Sequence, residues 1–270
     1  MNRIDKKLSY LKDNHRKMLS PYITAGDPRP DLTVQLMHYL VQEGADIIEL
    51  GIPFSDPMAE GPAIQSAMER ALAFEVNCND VLNMVAEFRK QDGETPIVLM
   101  GYLNPVEQYG YENFASDAKK SGVDGTILVD LPPEETETVA NIWEKNNLYS
   151  IYLCSPTTSD NRMKKINQYG KGYLYYVSLK GVTGADTFDI EQVKSDYMRR
   201  KSQTDLPLMV GFGIKTAEMA KKVSEFADGV IVGAALISQI LTAYEKDQKD
   251  IRAGVTLIGN MRKAIDYNGK

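Results

Sequence analysis

Eight short apolar runs, each bounded by turn residues and separated from the next by an amphipathic stretch, constrain this chain more than any other feature. They are MLSPYITAG from Met18, ADIIELGIP from Ala45, TPIVLMGYL from Thr95, VDGTILVDLP from Val123, YSIYLCSP from Tyr149, GYLYYVSLKG from Gly172, LPLMVGFGI from Leu206 and ADGVIVGAA from Ala227. Runs rich in Ile, Val, Leu and Tyr read as strands covered on both faces. The intervening stretches carry helical spacing: Leu32, Leu36, Tyr39 and Leu40; Val81, Val85 and Phe88; Val139, Ile142 and Trp143. A strand joined to a parallel neighbour through a helix makes a right-handed crossover. About eight such units in ~250 residues predict an α/β chain folded as a (β/α)8 TIM barrel. An open doubly wound sheet is the alternative, but no early GxGxxG marks a dinucleotide crevice. Ile4, Leu8 and Leu11 share one face, which predicts an extra N-terminal helix. No linker or low-complexity segment interrupts the pattern, so a single domain over 1–270 is expected. The polar DYMRRKSQTD, Asp196 to Asp205, is expected to be a solvated loop or helix end.

Composition narrows the function classes. With 43% hydrophobic and 25% charged residues, 270 residues can bury a large core. A formal net charge of -6 argues against nucleic acid as the main partner. No apolar stretch approaches the ~20 residues of a membrane span, and the mixed-charge start lacks the apolar core of a secretion signal. The two cysteines, Cys78 and Cys154, have no metal-ligand spacing and fit a reducing, cytoplasmic compartment. His15 and His38 are expected on helix surfaces, and no His/Asp/Glu cluster suggests a metal.

In a barrel, chemistry belongs at the C-terminal ends of the strands. The second strand ends in Glu49, which alternation places on the same side as Ile47 and opposite Ile48 and Leu50. A carboxyl aimed into the barrel mouth loses water, its pKa rises toward neutrality, and it can then both give and take a proton. The following loop, GIPFSDPMAEGP, carries Asp56 and Glu60 among prolines and glycines. Such a loop can fold a second carboxylate over the pocket; equally, both acids can cap turns or the helix starting near Pro62.

Three glycine-rich loops follow late strands: KGVTG (Lys180 to Gly184), GFGIK (Gly211 to Lys215) and VGAA (Val232 to Ala235). Backbone N–H groups in such loops and at helix N-termini bind phosphate, and barrels commonly hold one after strands seven and eight. Tyr22, Tyr102, Tyr175 and Phe212 fall at strand ends; with Met100 and Val129 they either form plain barrel core or line a flat slot for an aromatic ring. Lys180 lies beyond its strand in a glycine loop, which suits a solvated ammonium better than a Schiff base.

Taken together, PYITAGDP, ADIIELGIPFSDPMAEGPAIQ, MGYLNP, DGTILVDLPPEE, GVTG, GFGI and DGVIVGAA make the sequence resemble the tryptophan synthase alpha subunits over nearly its whole length. The resemblance implies retro-aldol cleavage of indole-3-glycerol phosphate to indole and glyceraldehyde 3-phosphate. Glu49 then matches the family's general acid–base, and Glu60 matches the second carboxylate, which steadies the indole N–H. Asp56 would face the partner. Tyr22, Met100, Tyr175 and Phe212 would hold the indole, Thr183 would hydrogen-bond the second carboxylate, and Gly184, Gly213, Gly233 and Ala234 would bind phosphate. No cofactor is implied in this subunit; pyridoxal phosphate belongs to the beta subunit, its partner in an alpha2-beta2 complex. Three positions depart from the usual pattern: Glu60 for Asp, Ala234 for Ser, and Leu179 for Arg. They keep open a rival expectation, a barrel that binds a phosphate ligand and regulates a partner without catalysing well. Another phosphate-sugar barrel, such as an isomerase, is a more distant alternative.

Overall fold

A computed structural model of the chain describes residues 1–178, 190–211, 213–248 and 250–267. Its strands are β1 (Met18–Thr24), β2 (Ile48–Gly51), β3 (Ile97–Gly101), β4 (Gly125–Leu128), β5 (Tyr149–Ser150), β6 (Leu153–Cys154), β7 (Leu174–Val177), β8 (Leu208–Gly211) and β9 (Gly229–Val232). All pair in parallel, in the order β5-β4-β3-β2-β1-β9-β8-β7-β6. The two edge strands, β5 and β6, are separated by only Ile151 and Tyr152, so the sheet closes on itself. The fifth apolar run, expected as one strand, is therefore two short pieces. Its first half pairs with β4 and its second with β7, and Ile151 N–H to Thr126 O (2.9 Å) and Tyr175 N–H to Tyr152 O (2.9 Å) carry the ladder across.

The helices are α1 (Arg3–Asp13), α2 (Thr33–Gln42), α3 (Pro62–Leu72), α4 (Cys78–Arg89), α5 (Leu103–Tyr109), α6 (Tyr111–Ser121), α7 (Glu137–Lys145), α8 (Asp160–Tyr169), α9 (Ile190–Lys201), α10 (Ala217–Ser224), α11 (Ala234–Lys246) and α12 (Thr256–Asp266). Alternation along the strands splits the core in two. Ile48, Leu50, Leu99, Val210 and Val230 face outward onto helical stripes that include Leu36 and Leu40 of α2, Val81, Val85 and Phe88 of α4, and Trp143 of α7. Met18, Tyr22, Ile47, Val98, Met100, Ile127, Tyr173, Met209 and Ile231 face inward and fill the barrel.

The expected N-terminal helix is α1. Ile4 and Leu11 join the inner cluster, with Leu8 packed against it. Asn2 caps the helix and donates through Nδ2 to Asp124 O and Asn147 O (both 2.9 Å), at residues that lead into β4 and β5. So α1 plugs the N-terminal end of the barrel and leaves the C-terminal end for chemistry.

That lower rim repeats one device. Asp46, Asp124 and Asp228 each lie just before a strand and accept the N–H of a residue leading the neighbouring strand: Leu19 (3.0 Å), Ile97 (2.9 Å) and Leu208 (2.8 Å). Each carboxylate is also ion-paired, Asp46 with Arg262, Asp124 with Arg89 and Arg3, and Asp228 with Lys201.

Two surface expectations change. The Asp196–Asp205 stretch begins as the last turns of α9, and Tyr197 and Arg200 are buried rather than solvated. Arg200 donates to Ser155 O and Pro156 O, a use of a charged side chain that a local polar pattern does not reveal. His15 lies beyond α1 with φ of 52°, not on a helix; His38 is on α2, half-buried, with its ring 4.7 Å from that of Phe88.

Candidate active site

Glu49 is the deepest acid at the upper end of the barrel. It lies on β2 with no exposed surface, beside Tyr22 of β1 and Val98 of β3 in the sheet register. The Tyr173 hydroxyl donates to its Oε1 at 2.7 Å, and Oε2 has no hydrogen-bond partner among the described residues. Ser20 Oγ is close enough to influence both Glu49 and Tyr173, yet lacks hydrogen-bond geometry to either. Burial is the dominant influence and pushes the Glu49 carboxyl up to about 8. The tyrosine bond opposes that rise and the nearby Glu60 charge adds to it.

Glu60 comes from the loop between β2 and α3. Gly61 and Pro62 open α3, and Gln65 in its first turn donates from Nε2 to Glu60 O at 2.7 Å. Glu60 is half-buried, and loss of water raises its carboxyl to about 7. Asp56, by contrast, is exposed, with the Ser55 hydroxyl donating to it at 2.6 Å. The loop thus turns one of its two acids inward and the other outward.

Tyrosines wall the space around the carboxyls. Tyr22 is buried, shares a 3.2 Å hydrogen bond with Thr24 Oγ1, and lies across Gly51 of the next strand. Tyr175 of β7 lies in the same way across Gly211 of β8. The phenol of Tyr175 feels the charges of both Glu49 and Glu60, and that of Tyr22 feels Glu60, so these side chains share one electrostatic environment. Met100 belongs to the inner cluster, and Val129 packs against it while lining a neighbouring cleft of about 370 Å³ with Asp130, Pro132, Tyr152 and Arg162. Tyr102 is buried, but it stands apart from that cluster, stacked on Phe54.

A methyl group at Gly51 would collide with the Tyr22 ring and hydroxyl, although the backbone there would accept one. Gly51→Ala is therefore expected to displace Tyr22, to cost about 1–3 kcal/mol through overpacking and to raise KM. Thermal unfolding and steady-state kinetics check this; a variant with unchanged stability and KM would show that Tyr22 is not held there.

On the late side, Gly213 has φ of 78°, the left-handed region that favours glycine. Gly233 is the N-cap of α11, and no side chain caps that helix. The first N–H groups of α11, starting with Ala234, thus lack intrahelical acceptors and present a partial positive charge suited to an anion. Gly233 is also near Tyr22 and Ile64, which ties this helix end to the tyrosine wall. Leu179, Lys180, Thr183, Gly184 and Phe212 lie outside the described residues.

Tyr173 is the site residue that the sequence reading passed over. It has the same inward parity as Tyr175, two residues on, and that alternation was the available signal.

Comparison with known proteins agrees with this geometry. The model of the tryptophan synthase alpha chain family matches residues 8–266. The tryptophan synthase alpha chain of Legionella pneumophila strain Philadelphia 1 is 66% identical over 269 residues, covering 100% of this chain and 99% of that protein. The alpha chain of Thioalkalivibrio sulfidiphilus is 51% identical over 98% of this chain and 100% of its own length. Among solved structures, tryptophan synthase subunit alpha from L. pneumophila strain Paris superposes with a TM-score of 0.94 at 64% identity, covering 99% of each chain. Tryptophan synthase from Mycobacterium tuberculosis in its aminoacrylate-bound form gives 0.85 at 30% identity, covering 98% of this chain and 100% of that one. With the barrel, the two inward carboxyls and full-length similarity in agreement, the chain belongs to the tryptophan synthase alpha chain family.

Proposed function

We propose that Glu49 and Glu60 divide the acid–base work of the family's reaction, Glu49 acting at carbon and oxygen and Glu60 at the ring nitrogen. The alpha chain of tryptophan synthase is a lyase that cleaves indole-3-glycerol phosphate to indole and glyceraldehyde 3-phosphate, and its partner is the beta subunit. Protonated Glu49 gives its proton to C3 of the indole. The ring nitrogen becomes an iminium N–H⁺, which the Glu60 carboxylate stabilises. The Glu49 carboxylate then takes the glycerol hydroxyl proton. That oxygen forms the aldehyde, the carbon–carbon bond breaks, and its electron pair restores neutral indole. Glu49 ends protonated, as it began.

One observation carries this division of roles: two carboxyls at one barrel mouth, both raised by burial but to different extents, about 8 for Glu49 and about 7 for Glu60. The fully buried acid is held higher, so it keeps its proton to higher pH than the outer one. The tyrosine wall supports an aromatic substrate. The uncapped start of α11 with Gly233 and Ala234, together with Gly213, supports a phosphate held by backbone N–H groups. Every step uses side chains of this chain, and pyridoxal phosphate chemistry is assigned to the beta partner. Both cysteines are free, which fits a cytoplasmic enzyme. No helix among the described residues is long and apolar enough to cross a membrane.

Indole release from indole-3-glycerol phosphate, measured with the beta subunit present, tests the reading through its pH dependence. Activity rises as Glu60 ionises and falls as Glu49 loses its proton, so kcat/KM is expected to be a narrow bell with limbs near 7 and 8. A flat profile across that range would overturn the division of roles.

A further inference from the structure

Past its first residue, the loop that delivers Glu60 is hydrogen-bonded from another βα unit at one point among the described residues. Ser55, Asp56, Met58 and Ala59 are exposed, and the loop's own backbone bonds, Met58 N–H to Asp56 O (2.9 Å) and Glu60 N–H to Pro57 O (3.1 Å), are local turns. Short-range turns fix the shape of a loop but not its height above the barrel. Ile52, the first residue of the loop, extends the β2–β3 ladder by donating to Met100 O (2.8 Å); beyond it, among the described residues, the hydrogen bond that reaches this loop from another βα unit is Ala59 N–H to the Tyr102 hydroxyl, at 3.0 Å. Ala59 immediately precedes Glu60, and Gln65 holds the other side of Glu60 through its carbonyl.

Tyr102 is built to hold still. The residue is 1% exposed, and its ring stacks on Phe54 of the same loop, with centroids 5.3 Å apart and planes 29° apart. Its backbone sits at the N-cap of α5, and the next N–H, that of Leu103, donates to Asp130 Oδ1 at 2.7 Å. The tether therefore runs from a fixed strand end, through a rigid ring, to the residue before the outer carboxyl.

We propose that Tyr102 is a positioning residue that acts through Glu60: its hydroxyl anchors Ala59 and so sets where the Glu60 carboxylate meets the substrate nitrogen. This rests on the reading of Glu60 given above. Glu has one more methylene than Asp, so the placement of the backbone beneath it decides where the charge falls. Misplacement by about 1 Å can cost on the order of 100-fold in rate. The charge stabilised by Glu60 exists only after ring protonation, so loss of the anchor should act on kcat and not on KM.

The test is Tyr102→Phe, which keeps the buried ring and the Phe54 stack and removes only the hydroxyl. It is made in the parent chain and in Glu60→Ala, each assayed for indole release with the beta subunit and by amide hydrogen exchange. In the parent, kcat is expected to fall about 10- to 100-fold with KM changed less than about 3-fold. In the Glu60→Ala background the further loss should be under about 2-fold, since the group being positioned is gone. Exchange at the Ala59 amide should accelerate at least about 10-fold while amides of β2 and β3 stay protected. Unchanged kcat, the same fold loss in both backgrounds, or an unchanged Ala59 amide would overturn the proposal. Full activity of Glu60→Ala alone would instead remove the underlying role of Glu60, an outcome distinct from a failure of Tyr102.

Discussion

Glu49→Gln is expected to lower kcat by about 10²- to 10⁴-fold, the range set by general acid–base catalysis, while affinity for a non-cleavable phosphate analogue changes little. The amide has nearly the shape of the carboxyl, and its oxygen can still accept from Tyr173, which reaches Oε1 in the parent at 2.7 Å. What it cannot do is release and recover a proton. The site is fully buried, so water has no ready path to act in its place. Single-turnover indole formation and analogue binding, measured on the same preparation, separate chemistry from binding. Turnover near that of the parent would remove Glu49 from the mechanism. Lost analogue binding would mean instead that Glu49 mainly shapes the pocket.

Asp124→Ala is expected to be the most destabilising single change at the opposite end of the barrel, by about 3–5 kcal/mol. Asp124 is 3% exposed and accepts from Ile97 N–H, Arg89 Nη2 (2.9 Å) and Arg3 Nη1 (3.0 Å). Burial is the largest influence on this carboxyl and raises its pKa in spite of both guanidiniums. The cluster as a whole is therefore not a large net source of stability; removing one member is costly because it strands the others. Arg89 is itself mostly buried, and burial lowers its pKa to about 10. Urea unfolding should show a lower midpoint with an unchanged slope. Activity of the remaining folded protein should be near that of the parent, since α1 and the barrel interior separate Asp124 from the mouth. A midpoint equal to that of the parent would show that the rim clusters are dispensable.

Much of the architecture is legible in the sequence alone. The period of the apolar residues is a local property, so Ile47 and Glu49 could be assigned to one face and Ile48 and Leu50 to the other. Ile47 joins the inner cluster, Glu49 bonds the inward Tyr173, and Ile48 and Leu50 join the outer cluster. The strand-end position of Glu49, the acid-bearing loop after it and the late glycine loops were equally visible, because turn chemistry is also written locally. The fifth strand misled for the same reason: its apolar pattern is continuous, and only the closing of the barrel divides its pairing between β4 and β7.

What the sequence by itself determined is the set of elements, their facing and the family to which they belong. Tertiary structure alone decided which groups meet: Tyr173 reaches Glu49 across 124 positions of chain, Tyr102 reaches Ala59 across 43, and Asp124 gathers Arg3 across 121 and Arg89 across 35. It also decided how far water is excluded from each carboxyl, and hence that Glu49 and Glu60 take different proton affinities. Hydrophobic periodicity is a property of neighbours along the chain. Partners across a closed barrel depend on register and curvature, and desolvation depends on everything packed around a group at once.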